Sequence, residues 1–216
     1  MRNIILGAVM STTLAFTAAG DAQSAASVEE VVSPGGIRAY LLHEPAVPML
    51  AVSFLFKGGA QYERADEAGL ARMTAALLDE GAGEMDSQAF RGALEDNAIR
   101  LSFDADRDGI NGELRTLTAN RELAFELLRQ ALAEPRFDAE PIERIRAQLQ
   151  AGLKRRLNDP GVISRRAWFA AAFGEHSYAH PAEGRVETVA ELGREAIVGY
   201  HAVQFARDKL HIGVAG

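Results

Sequence analysis

The 216-residue sequence contains no cysteine. This absence excludes disulfide bonds, thiol nucleophiles and cysteine-ligated zinc sites. Histidine is scarce as well: there are five, and none lies between residues 44 and 175. Any bound metal would therefore depend on carboxylate oxygens and on histidines near the two ends of the chain.

The sequence also lacks an excess of positive charge. It has 23 basic and 30 acidic residues, a formal charge of −7 and a pI near 5.3. An acidic chain repels the phosphate backbone of DNA or RNA, so a nucleic-acid-binding function is not expected. The hydrophobic fraction of 48% and charged fraction of 25% are typical of a globular protein.

Long apolar runs are absent except at the N-terminus. Residues 4–19 are almost wholly apolar, follow Arg2, and lead into a small-residue region at 18–26. The run is short for a membrane span and has polar residues at its centre. The pattern favours a secretory signal peptide over residues 1–26 rather than a membrane anchor. We expect a periplasmic or secreted mature chain, 27–216, without a membrane span.

Apolar periodicity in the mature region alternates between strand and helix patterns. The hairpin signals Ser33-Pro34-Gly35-Gly36 and Asp108-Gly109 lie between short apolar or alternating runs, which predicts antiparallel pairing. The predicted strands are 28–32, 37–43, 49–56, 99–105, 110–116 and 210–215. Helical spacing predicts helices from Asp66 to Leu78, from Asp86 or Ser87, after Asn120, from Asp138, from Pro160 and over 194–205. We predict a single α+β domain over 27–216, with an antiparallel-rich sheet covered on one face by helices.

The pair His176 and His180 has the i, i+4 spacing that suits a metal site on a helix, with Glu175 or Glu183 as a further ligand. However, Gly174 precedes the pair and Pro181 follows it, which disfavours a helix there. The pair is therefore a weak alternative metal site, and a loop held by hydrogen bonds is the more ordinary interpretation.

A basic stripe runs through the 144–166 region of this acidic chain. Its centre is Lys154-Arg155-Arg156, and its other members are Arg144, Arg146, Arg165 and Arg166. Such a stripe is most often a solvated helix face and less often a docking surface.

Several segments occur in the order and spacing of a known family. They are Phe56-Lys57-Gly58-Gly59-Ala60-Gln61-Tyr62-Glu63, Gly69-Leu70-Ala71, Leu77-Leu78-Asp79-Glu80-Gly81, Leu132-Ala133-Glu134-Pro135-Arg136-Phe137, Asn158-Asp159-Pro160, His180-Pro181 and Lys209–Gly216. Together they resemble the first half of the M16 (insulinase/pitrilysin-like) zinc metallopeptidases, over residues 28–216. The resemblance implies one half of that family's architecture, with the second half absent from this sequence.

The resemblance also locates the family's zinc motif, His-x-x-Glu-His, and finds it degenerate. The two histidines fall on Arg72 and Ala76 and the water-activating glutamate on Ala75. The downstream zinc-binding glutamate falls on Gly152, and an assisting acid falls on Ile145. None of these residues can bind zinc, so no catalytic residue, metal ligand or bound cofactor is expected in this chain.

The resulting expectation is a catalytically degenerate M16 subunit or fragment. It would form a hetero-oligomer with an active chain that carries the zinc, and would support cleavage of a peptide substrate. Two alternatives remain open: an active zinc peptidase with relocated ligands at His176 and His180, and a peptide-binding module unrelated to proteolysis. The latter would take an extended peptide by strand addition to the sheet.

Overall fold

A computed structural model describes residues 27–216; the predicted signal peptide lies outside them. The strands are β1 Val28–Val32, β2 Arg38–Leu42, β3 Met49–Lys57, β4 Arg100–Ala105, β5 Gly109–Leu117 and β6 Leu210–Ala215. The helices are α1 Leu70–Ala75, α2 Ser87–Asp96, α3 Arg121–Ala133, α4 Ala139–Arg155, α5 Pro160–Phe173, α6 Val186–Glu191 and α7 Arg194–Gln204. Within 27–216, no helix is both long enough and apolar enough to cross a bilayer.

All six strands form one sheet in the order β1-β2-β6-β3-β5-β4. Every neighbouring pair is antiparallel except β2 and β6. The C-terminal strand β6 therefore lies in the middle of the sheet and joins the N-terminal hairpin to β3. Strand β4 forms one edge, since it pairs with β5 alone.

The two faces of the sheet differ in burial. On β3, Val52, Phe54 and Phe56 are buried against the helices, whereas Ala51 and Ser53 point to the opposite face and are exposed. The same alternation continues along β5. Helices thus cover one face, which confirms the predicted α+β class with an antiparallel-rich sheet.

One predicted helix is much shorter than expected. Instead of a helix over 66–78, a 3₁₀ turn at Ala65–Glu67 precedes the six-residue α1. The intervening Gly69 has a left-handed φ of 102°, which no continuous helix contains. Beyond α1, Leu77 N–H donates to the Thr74 carbonyl at 3.1 Å, so the chain continues in tighter turns.

The short helix α6 was not predicted. Thr188 stabilises its start by accepting a hydrogen bond from Arg185 N–H at 3.0 Å. The Thr188 hydroxyl also donates to the Ala68 carbonyl at 2.6 Å, which joins α6 to the turn before α1.

Candidate functional site

A partly buried carboxylate stabilises the start of helix α1. Glu63 accepts hydrogen bonds from Gly69 N–H at 2.9 Å and Ala71 N–H at 2.6 Å. The expected cap, Asp66, instead pairs with Arg64 at 2.9 Å, so the prediction of Asp66 as the cap is wrong. Burial raises the pKa of Glu63 to about 7, although the two backbone hydrogen bonds act in the opposite direction.

Arg72 lies on α1 with its side chain 39% exposed, and Asp104 lies on the edge strand β4. The Arg72 Nη1 atom is 3.7 Å from the Asp104 carboxylate. At the first histidine position of the resemblance, the chain therefore carries a guanidinium that faces the edge of the sheet. A guanidinium has no lone pair for a metal and repels a dication.

Ala75 and Ala76 end the same helix. Ala75 is 1% exposed and belongs to the hydrophobic core, and Ala76 packs against that core while partly exposed. Neither methyl group offers a ligand or a general base.

The other two positions lie on α4, which packs against α1. Ile145 is 6% exposed and part of the core, so an apolar contact replaces the assisting acid. Gly152 is partly buried, and a Cβ built there would meet nothing closer than Arg155 Nη2, at 3.9 Å. A Cβ at position 152 would therefore make only an ordinary van der Waals contact.

Helices α1 and α4 pack together, yet these positions offer no group suited to zinc. Nowhere in 27–216 do three or more histidine, aspartate or glutamate residues cluster as metal ligands would. The side chains at the degenerate positions do not fit the metal that the resemblance implies, and no catalytic step follows from them.

The alternative pair, His176 and His180, flanks a 3₁₀ turn over Ser177–Ala179 rather than lying on one helix. The His176 Nδ1 atom accepts a hydrogen bond from Tyr178 N–H at 3.1 Å. Glu183 pairs with Arg166 at 3.2 Å, which occupies the carboxylate proposed as a further ligand.

A second carboxylate, that of Glu80, is fully buried, since the residue is only 2% exposed. The sequence alone does not identify this residue. It pairs with Arg144 on α4 at 2.6 Å and with Arg91 on α2, and Ser87 donates a hydrogen bond to it. Burial raises the pKa of Glu80, but the hydrogen bonds and charges of its partners outweigh burial and lower the pKa overall. Glu80 thus ties the end of the α1 segment to α2 and α4.

Curated relatives match most of this chain but less than half of their own length. A non-peptidase homolog of Helicobacter pylori, YmxG, is 25% identical over 170 residues, which are 79% of this chain and 39% of that protein. An uncharacterized zinc protease of Mycobacterium leprae is 26% identical over 208 residues, covering 90% of this chain and 44% of that protein.

Solved structures show the same fold. The M16 inactive domain from Pseudomonas fluorescens superimposes with a TM-score of 0.83 at 24% identity, over 88% of this chain and 46% of that one. A protease from Helicobacter pylori superimposes with a TM-score of 0.78 at 16% identity, with the same coverage of both chains. Residues 38–183 match the family profile described as insulinase, peptidase family M16. The chain belongs to the M16 peptidase family.

Proposed function

We propose that this chain is a non-catalytic M16 subunit, exported from the cytoplasm, that supports peptide cleavage by a zinc-bearing M16 chain. The observation that carries the proposal is the combination of an M16 framework with non-ligating residues at all the metal positions. On the assignment that the resemblance implies, Arg72, Ala76 and Gly152 stand at the three ligand positions and Ala75 at the position of the base. The inactive-type relatives support a role of this kind.

Restoring the ligands tests the assignment of these positions. The variant Arg72→His, Ala75→Glu, Ala76→His, Gly152→Glu is expected to bind one zinc ion per chain. A matched variant that leaves Ala75 in place should bind zinc as well, because position 75 corresponds to the base and not to a ligand. If both variants fold, as judged by circular dichroism, and neither binds zinc, the assignment of the positions is wrong.

Purification of native complexes tests whether this chain associates with an active M16 partner. The tagged chain is purified from its own organism and assayed for chelator-sensitive peptidase activity. We expect a second M16 chain with an intact His-x-x-Glu-His motif and zinc in the same complex. Recovery of the chain without a second M16 protein and without peptidase activity would contradict the proposed role.

The edge strand β4 favours a second candidate, a peptide-binding module that acts without a peptidase. Its outer edge is unpaired in the described sheet, so an extended peptide could add as a further strand. Stoichiometric peptide binding by the isolated chain, with no M16 partner in native complexes, would favour this second function.

A further inference from the structure

Helix α5 presents an apolar surface to solvent on the side away from its contacts. Among its 14 residues only Val162 is buried, and the element packs mainly on the turn at Ser177–Ala179. Ile163 is 52% and Trp168 60% exposed. Between Arg166 and Glu175 the sequence contains no charged residue.

Aromatic contacts anchor the opposite side of α5 and fix which side faces outward. The Arg107 guanidinium lies 3.8 Å from the centre of the Phe169 ring, and Phe169 stacks on Phe173 at 5.4 Å. With about 3.6 residues per turn, Val162, Phe169 and Phe173 share one side of the helix. The rest of the helix surface carries exposed residues: Ile163, Ser164, Ala167, Trp168, Ala171 and Ala172. Trp168 also packs edge-on against Phe169, with ring centroids 5.0 Å apart, and remains 60% exposed.

Four cations that form no ion pair within 27–216 precede this helix in the sequence or lie on it. Three exposed cations occupy the end of α4 and the residue after it: Lys154, Arg155 and Arg156. The fourth, Arg165, is exposed on α5 on the flank nearer Val162, where its charge acts on Glu183. From 154 to 174 the only acid is Asp159, and its carboxylate accepts hydrogen bonds from Gly161 and Val162 N–H at 2.8 and 3.1 Å. The segment is cationic in a chain whose total charge is −7.

We propose that residues 154–172, the α5 surface, bind the surface of an anionic phospholipid bilayer. Trp168 and Ile163 would lie at the level of the headgroups, and Lys154, Arg155 and Arg156 would contact lipid phosphates. Exposed aromatic and aliphatic side chains beside lysine and arginine are the combination that interfacial helices use.

The outer side of helix α5 itself has few groups that form directional hydrogen bonds, which favours lipid over a protein partner. Its outer side has one hydroxyl, Ser164, which already donates to the Gly161 carbonyl at 3.2 Å. Specific protein interfaces carry a directional hydrogen bond roughly every 100–200 Å². A lipid surface needs no such directional pairing, only charge and apolar area.

The sequence contains one tryptophan, Trp168, so intrinsic fluorescence reports directly on this surface. The probe is a vesicle of equal parts phosphatidylglycerol and phosphatidylcholine, compared with a phosphatidylcholine vesicle, with the chain comprising residues 27–216. We expect a blue shift and co-sedimentation with the anionic vesicles only, both weakened by added salt.

Substitution of the cations distinguishes electrostatic binding to the vesicles from nonspecific adsorption. Lys154→Gln, Arg155→Gln, Arg156→Gln together should weaken binding by at least about tenfold. The matched variant Arg64→Gln, Arg121→Gln, Arg207→Gln removes three exposed cations elsewhere and should bind as the wild type does. Trp168→Ala should reduce co-sedimentation, whereas Phe125→Ala, at a 42% exposed site on α3, should not.

Three results would overturn the proposal. The first is equal binding to neutral and anionic vesicles, or binding to neither. The second is a blue shift with polyglutamate but not with anionic vesicles, which would indicate an acidic protein partner. The third is a shift that depends on protein concentration without vesicles, which would indicate self-association.

Discussion

Arg72 and Gly152 remove metal-binding capacity in different physical ways. Arg72 places a positive charge next to Asp104, whereas Gly152 contributes no side-chain atom that could bind a metal. Ala75 and Ala76 place methyl groups in or against the core. None of these four residues therefore offers a metal ligand.

The raised pKa of Glu63 predicts a pH-dependent stability. Between pH 4.5, the ordinary value, and about 7, the folded chain retains a proton that the unfolded chain releases. The contribution of Glu63 is thus fully present below pH 4.5, and the free energy of unfolding falls as pH rises through this window. Glu63→Gln should make urea-unfolding free energies less dependent on pH between 4.5 and 7; an unchanged slope would contradict the burial of this carboxyl.

Removing the Glu80 carboxylate is expected to be costly. Glu80→Ala leaves the partly buried Arg144 and the neighbouring Arg91 without their shared partner, which should lower the free energy of unfolding by about 3 kcal/mol. Glu113→Ala removes one member of an exposed pair with Arg115 and should change stability little. If chemical denaturation gives the same change in the free energy of unfolding for both substitutions, the ion pairs of Glu80 do not stabilise the fold as proposed.

At the scale of elements, local patterns predicted most strands because alternation with period two and turn signals are encoded within each hairpin. The pairing of β4 with β5 follows this expectation, although the central turn residues are Arg107 and Asp108. Gly109 follows the turn, where a Cβ would lie 2.1 Å from Leu55 Cδ1 on β3. The parallel pairing of β2 with β6 joins distant parts of the chain, so local patterns could not reveal it.

The start of α1 could not be predicted from sequence for a similar reason. Its cap, Glu63, lies six residues upstream of Gly69 and acts across an intervening turn. The degenerate metal positions were assigned through the family resemblance, since alanine and glycine carry no chemical signal of their own. The roles of Glu63 and Glu80 depend on how far each side chain is buried in the fold. The spacing of residues in the sequence does not reveal this burial.

Gly69 is the residue on which the start of α1 depends. A Cβ there would lie 3.0 Å from Val189 Cγ2 and 3.1 Å from Gly184 Cα, at a left-handed φ of 102°. Gly69→Ala should destabilise the fold by about 1–3 kcal/mol through strain and contact. Gly92→Ala, in the interior of α2 with open space around its Cβ, should instead stabilise it by about 0.5–1 kcal/mol. The thermal midpoint of Gly69→Ala should be lower than that of the wild type, and the midpoint of Gly92→Ala should be higher. An unchanged or higher midpoint for Gly69→Ala would refute this account of Gly69.

At the scale of the whole molecule, the chain has an M16 fold, and we propose that its metal position has lost its chemistry. It spans less than half the length of the curated relatives it matches. A cationic α5 surface and the β4 edge, unpaired in the described sheet, are the features through which we propose that it contacts other components. Its role in peptide cleavage would then be to complete a complex rather than to activate water.

The zinc content of the purified chain 27–216 tests the central claim most directly. The protein is dialysed against a weak chelator and its zinc is measured by elemental analysis, with the ligand-restored variant as a positive control. We expect near-zero zinc in the wild type and about one ion per chain in the variant. About one zinc ion per wild-type chain would contradict the account and would redirect attention to His176 and His180.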